Sequence, residues 1–217
     1  IVVLDLASGA ERELPAGLAE IDRIAWSPGG ASLLASGSDG KGRGGLFLVR
    51  ASDGAATPLL AERGAPYTGF EAVWAPRGRS VYYLRGQTDL LKRSVVDGAE
   101  ETVLHAARLA HLAIDKAGDT LAVGVGDAAI RVTPLSGGGT ARLIPFAGLT
   151  ELVWGRELYA GRGAELWAVP LDGTPPRRLV LPAGRLPGVS PSPDGRTIAF
   201  AAGREQSEVL SFALPKP

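Results

Sequence analysis

"SPSPDGRTIAFAAG", residues 190–203, decides the fold, because the chain says it more than once. A fainter copy, "SPGGASLLASGS", stands at 27–38, with others at 75–86, "APRGRSVYYLRG", and 115–126, "DKAGDTLAVGVG". Each copy is a Gly-containing turn that opens a run of β-forming residues. A second mark recurs between these turns. Ser8-Gly9, Asp53-Gly54, Asp97-Gly98, Ser136-Gly137 and Asp172-Gly173 each follow a short apolar run, their glycines 45, 44, 39 and 36 residues apart. Gly supplies positive φ in a tight hairpin, and the Asp or Ser side chain bonds back to the local backbone.

After each such turn comes a short run ending in Leu, Ile or Val, and then a run closing on an aromatic or apolar residue. These last are "IDRIAW" to Trp26, "FEAVW" to Trp74, "LAHLAI" to Ile114 and "LTELVW" to Trp154. Four short strands per period of 36 to 48 residues is the pattern of a β-propeller blade. One blade cannot bury both faces of its sheet, so neighbours cover it. The Trp column is expected to pack between blades. The segment "VLHAARLAHLAIDKA", 103–117, has helical composition, yet it occupies the register of "FEAVWAP", and register overrides local propensity.

The reading is therefore an all-β chain, a β-propeller of four-stranded blades with five repeats, six or more if it is part of a larger ring. Residues 1–217 form one propeller domain, expected to be a portion of a longer protein. Rings close when one terminus completes a blade begun by the other. Residues 11–15 are thus expected beside 208–214, with 1–6 surplus.

The turn and the strand after it, with "SEVLSFAL" and "WAVPLDGTPPRRL", resemble the WD40-like repeat, PD40, of TolB-type β-propellers. "AWSPGG" keeps the family's Trp-Ser-Pro, "VWAPRG" keeps Trp and Pro, "AIDKAG" keeps Gly, and "VWGREL" has lost the turn. The resemblance implies a propeller that binds proteins or peptides, found also as a non-catalytic part of larger chains such as bacterial sensor-regulators.

Composition narrows the chemistry. Charge balances at 23 basic and 23 acidic residues, so no basic stripe for nucleic acid is expected. No Cys occurs, which removes disulfides, thiolate metal sites and a Cys nucleophile. No apolar run approaches the ~18 residues of a membrane span. No targeting segment is present in this chain, which leaves periplasm and cytoplasm both open. Nucleophile-elbow, Walker and dinucleotide motifs are lacking. "DGKGRGG", 39–45, has phosphate-cradle residue types without a strand-to-helix context, and reads as a mobile loop. The two histidines, His105 and His111, stand in no metal-ligand spacing. No catalytic residue, metal site or cofactor is assigned.

One column carries more than packing. Three residues before each strand-closing position stand Arg23, Glu71, His111 and Glu151, with Gly188 in the fifth copy. First strands of a propeller are innermost, so these four are expected to ring the axial channel as a mixed-charge site for a polar ligand or peptide. Solvated strand ends account for the same residues. A second candidate is the loop 61–70, where Arg63, Tyr67 and Phe70 supply hot-spot residue types. The alternative is Tyr67 and Phe70 packed on their own blade. A third is the loop "HAARLAH", 105–111. The expected function is a non-catalytic binding module for a protein or peptide. The alternatives are a propeller glycosidase or lyase using axial carboxylates, which needs two carboxylates facing one sugar, and a purely structural accessory domain.

Overall fold

The computed structural model describes residues 1–5, 7–63, 71–136, 138–179, 188–192, 196–204 and 206–213, and for 63 and from 200 onward the backbone alone. Every regular element among them is a strand. The chain divides into two compact units, Ile1–Leu104 and His105–Pro217.

In the first unit, β1 (Val2–Leu4) and β2 (Glu11–Glu13) make a two-stranded hairpin with Val2 opposite Glu13. The segment expected to be surplus thus contains a strand, Val2–Leu4, and Glu11–Glu13 pairs with it. Next come β3 (Leu18–Trp26), β4 (Ser32–Asp39), β5 (Arg43–Arg50) and β6 (Ala56–Arg63), in one sheet of order β3-β4-β5-β6. Then β7 (Ala72–Trp74), β8 (Ser80–Arg85), β9 (Asp89–Ser94) and β10 (Glu100–His105) repeat the arrangement.

The second unit holds two more such sheets. One runs β11 (Leu109–Ile114), β12 (Thr120–Val125), β13 (Ala129–Pro134), β14 (Arg142–Pro145); the other β15 (Glu151–Trp154), β16 (Leu158–Arg162), β17 (Glu165–Val169), β18 (Arg177–Leu179). A three-stranded sheet of β19 (Val189–Pro191), β20 (Thr197–Arg204) and β21 (Gln206–Ala213) follows. Four-stranded meanders with neighbours in chain order are β-propeller blades. The described residues contain four complete ones, and the fifth repeat contributes the three-stranded sheet.

The repeated turn forms one hydrogen-bonded device in every copy where it occurs. The backbone N–H groups of Ser27, Ala75, Asp115 and Ser192 donate to the carbonyls of Ser32 (2.8 Å), Ser80 (2.9 Å), Thr120 (3.0 Å) and Thr197 (2.9 Å). Side chains add to it. Ser27 Oγ accepts from the Ser32 N–H at 3.1 Å, Ser192 Oγ from Thr197 at 3.0 Å, and Asp115 Oδ1 from both Asp119 (2.8 Å) and Thr120 (3.0 Å). Gly30, Gly78 and Gly118 sit at φ of 69°, 67° and 78°, which explains why Gly is the one letter common to all the copies. The Asp-Gly hairpins are equally uniform. Asp53, Asp97 and Asp172 accept the N–H two residues on, at 3.0, 3.1 and 2.9 Å. In the degenerate copy at "VWGREL" the turn shrinks to Gly155 donating to the Glu157 carbonyl at 3.0 Å.

Alternation along β4 buries both of its faces, as a strand between layers requires. Leu33 and Ala35 pack with Leu14 and Val49, and Ile1 and Val3 of the first hairpin lie against them. Leu34 faces the other way, with Leu46, Trp74, Val81 and Tyr83. The second unit has its own clusters, around Ile130, Phe146 and Leu158 and around Tyr159, Leu166 and Ile198. Burying each Leu or Phe is worth about 2 kcal/mol, so these layers dominate the fold's stability.

The Trp column does not pack uniformly. Trp74 is 8% exposed and its Nε1–H donates to the Ala25 carbonyl of the preceding blade at 3.2 Å, while Trp154 packs on the cluster containing Ala113 and Ile130. Trp26 is 49% exposed. The β1–β2 hairpin covers Leu33 and Ala35 of the same blade but not Trp26.

Candidate functional site

The four first strands share one register against their second strands: Trp26 opposes Leu33, Trp74 opposes Val81, Ile114 opposes Leu121 and Trp154 opposes Leu158. Counting back three residues in each gives Arg23 opposite Ser36 and Glu151 opposite Gly161. Glu71 stands just before β7, its carbonyl accepting the Leu84 N–H at 3.0 Å. His111 is the extra residue of a bulge between the pairs Ala110–Gly124 and Leu112–Val123. Arg23 and Glu151 thus stand in the paired part of their strands, Glu71 just outside β7, and His111 in a bulge.

Within the first unit, Arg23 and Glu71 come together: Nη2 and Oε1 are 3.7 Å apart, with the Arg23 side chain 53% exposed and that of Glu71 16%. A pair this long and wet contributes under about 1 kcal/mol to stability, so the fold does not depend on it. The Arg23 side chain is exposed at the surface, whereas that of Glu71 is largely covered. In the second unit, His111 has φ of 54°, a left-handed conformation that costs a non-glycine residue about 1 kcal/mol or more. Bulges redirect side chains, and β3 carries two of its own, between Leu18 and Glu20 and between Ile21 and Arg23, the latter just ahead of Arg23.

Glycines in the second strands make room for these distortions. A Cβ at Gly37 would lie 2.1 Å from the Glu20 carbonyl oxygen, and one at Gly124 would lie 2.6 Å from that of Ala110. At Gly161 it would meet Glu151 Cβ and Thr150 Oγ1, both at 3.0 Å. The bulges were not foreseen from the sequence. The signal was a lone glycine inside "SLLASGS" and "TLAVGV", where a strand interior otherwise disfavours glycine.

The other candidate segments divide. Tyr67 and Phe70 lie outside the described residues, as does the side chain of Arg63, whose backbone ends β6. The segment 105–111 is a tight connection in which Arg108, at φ of 57°, pairs with Asp127 at 2.8 Å and accepts the Gly126 N–H on its carbonyl. "DGKGRGG" forms a hydrogen-bonded hairpin tip between β4 and β5. Asp39 Oδ1 accepts the N–H groups of Lys41 (2.9 Å) and Arg43 (3.0 Å), and its Oδ2 takes the Arg43 Nε–H (2.8 Å). The Arg43 backbone bond, ahead of its guanidinium, holds the Asp39 carboxyl below the usual carboxylate range. Among the described residues, no three His, Asp or Glu side chains gather as a metal ion would require, and no helix is long and apolar enough to cross a membrane.

No protein-family model matches the chain, and no curated protein matches it. Solved structures do. TolB from Acinetobacter baumannii superposes with a TM-score of 0.73 at 14% identity, covering 89% of this chain and 52% of that one. A protein assigned as TolB from Agrobacterium tumefaciens gives 0.73 at 15%, covering 90% and 77%. The fold is that of the TolB-type β-propellers. The chain spans about half the length of the A. baumannii protein. An oligogalacturonate lyase from Vibrio parahaemolyticus matches the same blades at 0.68 and 15%, covering 96% of this chain and 68% of that one. One blade architecture thus serves proteins of different names, and at these identities the likeness speaks for fold alone.

Proposed function

We propose that residues 1–217 act as one non-catalytic, TolB-like propeller module that binds a protein or peptide, as the sensor or interaction part of a larger bacterial protein. The observation that carries this reading is the approach of Arg23 to Glu71, two members of the repeat column of Arg23, Glu71, His111 and Glu151. Four repeats each carry an ionisable residue three positions before the end of the first strand, and in the first unit two of them, Arg23 and Glu71, stand 3.7 Å apart. Opposite charges held side by side are suited to a polar, mixed-charge segment of polypeptide, where they fix orientation more than they add affinity. The loop containing Arg63, Tyr67 and Phe70 is the proposed second contact.

The likeness to oligogalacturonate lyase favours a second reading, a carbohydrate-active propeller that uses carboxylates such as Glu71 and Glu151. The deciding experiment is a cross-linking capture from native lysate, with wild type run beside the triple variant Glu71→Ala, His111→Ala, Glu151→Ala. A protein taken by wild type and reduced at least about tenfold in the variant supports the column as the contact. Equal capture moves the contact to the outer loops. No specific capture by either sinks the binding reading in favour of a structural accessory domain.

A further inference from the structure

A cleft of about 410 Å³ opens in the first unit, between the Ala16–Gly17 link into β3 and the tip of the β4–β5 hairpin. That volume is in the range of small-ligand sites. Its lining is divided by chemistry. Phe47, 2% exposed, and the half-buried Leu18 give it an apolar base, while the exposed Lys41 and the partly exposed Arg43 stand at its rim.

The charges at the rim do not cancel. Arg43 spends Nε and Nη2 on Asp39 Oδ2, at 2.8 and 2.7 Å, so that pair is neutral. Arg43 Nη1 and Lys41 Nζ have no hydrogen bond or ion pair with any described residue, which leaves one net positive charge and free donors beside an apolar base. The hairpin backbone cannot contribute. The N–H groups of Lys41 and Arg43 are taken by the Asp39 side chain and that of Gly42 by the Asp39 carbonyl at 3.1 Å. Phosphate cradles depend on such free backbone N–H groups. The tip is therefore no phosphate cradle, and recognition falls to two cationic side chains suited to a monoanion.

We propose that this cleft receives the C-terminal residue of a partner peptide, its apolar side chain on Phe47 and Leu18 and its carboxylate on Lys41 Nζ and Arg43 Nη1. The proposal rests on the polypeptide-binding reading and names a contact distinct from the first-strand column. An apolar residue bearing a carboxylate matches both halves of the lining, and charge-assisted bonds are stronger than neutral ones.

The test is a calorimetric titration of the whole chain with acetyl-Gly-Ser-Leu, with the same peptide as its C-terminal amide, and with hexanoate. The acid is expected to bind, the amide and hexanoate at least about tenfold more weakly. Lys41→Gln should weaken the acid about tenfold, Lys41→Arg should retain it, and Lys116→Gln, at an exposed lysine that does not line the cleft, should leave it unchanged. Equal binding of acid and amide, or an unaffected Lys41→Gln, overturns the proposal. Hexanoate binding as tightly as the peptide overturns the peptide as the source of the carboxylate. A lysate partner captured equally by wild type and Lys41→Gln, with no binding of the acid, rejects the cleft while preserving the module's binding role.

Discussion

Replacing Asp115 by Ala removes the acceptor from the turn that defines the repeat. Asp115 Oδ1 takes two backbone N–H groups, from Asp119 at 2.8 Å and Thr120 at 3.0 Å, and the side chain is half-buried. Each bond nets about 1 kcal/mol in such a setting, so Asp115→Ala should cost about 2 kcal/mol. Asp115→Ser is the informative companion. Ser stands at the equivalent position in two other copies, where Ser27 and Ser192 each bond one N–H, at 3.1 and 3.0 Å. The serine variant should keep the Thr120 bond and lose the Asp119 bond, costing about half as much. Equilibrium urea denaturation reads both as shifts in midpoint at unchanged slope. If Asp115→Ala falls within about 0.5 kcal/mol of wild type, or if Asp115→Ser is as damaging as Asp115→Ala, the turn is not the conserved device of the blade.

Two further perturbations test the packing and the electrostatics. Gly45→Ala places a Cβ 1.8 Å from the Leu60 carbonyl oxygen, so β5 and β6 must part, and a loss of about 3 kcal/mol or more is expected; Gly40→Ala, with nothing within 4 Å, should change stability by under about 0.5 kcal/mol in the same assay. Glu100 accepts from Tyr83 at 2.5 Å, Arg85 at 2.8 Å and Arg93 at 3.2 Å; burial raises its pKa, but the bonds from Tyr83 and Arg85 and the Arg85 charge outweigh that and hold it below the usual glutamate value. A depressed folded pKa means stabilisation that is full above the unfolded value, ~4.3, and is lost as pH falls through the folded one. Glu100→Gln should flatten this acid limb in melts taken between neutral and acid pH, and an unchanged limb would remove the cluster from the account.

What the sequence made legible was what local chemistry determines. Asp-Gly and Ser-Pro turns fix their own hydrogen bonds, so the blade period and the strand order followed from them. "VLHAARLAHLAIDKA" became the end of β10, a turn and β11, because β12 and the buried positions Leu109, Leu112 and Ala113 hold it extended against its composition. The Trp column shows where legibility ends. Trp26 and Trp74 occupy the same register, yet one is half exposed and the other buried, because what lies across the sheet decides burial and no local pattern encodes it. The bulges at His111 and ahead of Arg23 were hidden for a related reason: an extra residue is defined by its pairing with the neighbouring strand, which one strand's own composition does not display. For the candidate site, the repeat aligns four positions in sequence, whereas the contact between Arg23 and Glu71, the place of Glu71 outside β7 and the left-handed His111 required the three-dimensional register.

The central claim, a module that binds polypeptide and carries out no chemistry on carbohydrate, is tested most directly by offering the whole chain oligogalacturonate with divalent metal and following the ultraviolet absorbance of the unsaturated uronate that a lyase produces. The account predicts no signal above the protein-free blank. Product that accumulates in proportion to the chain, and is abolished by Glu71→Ala or Glu151→Ala, would contradict it.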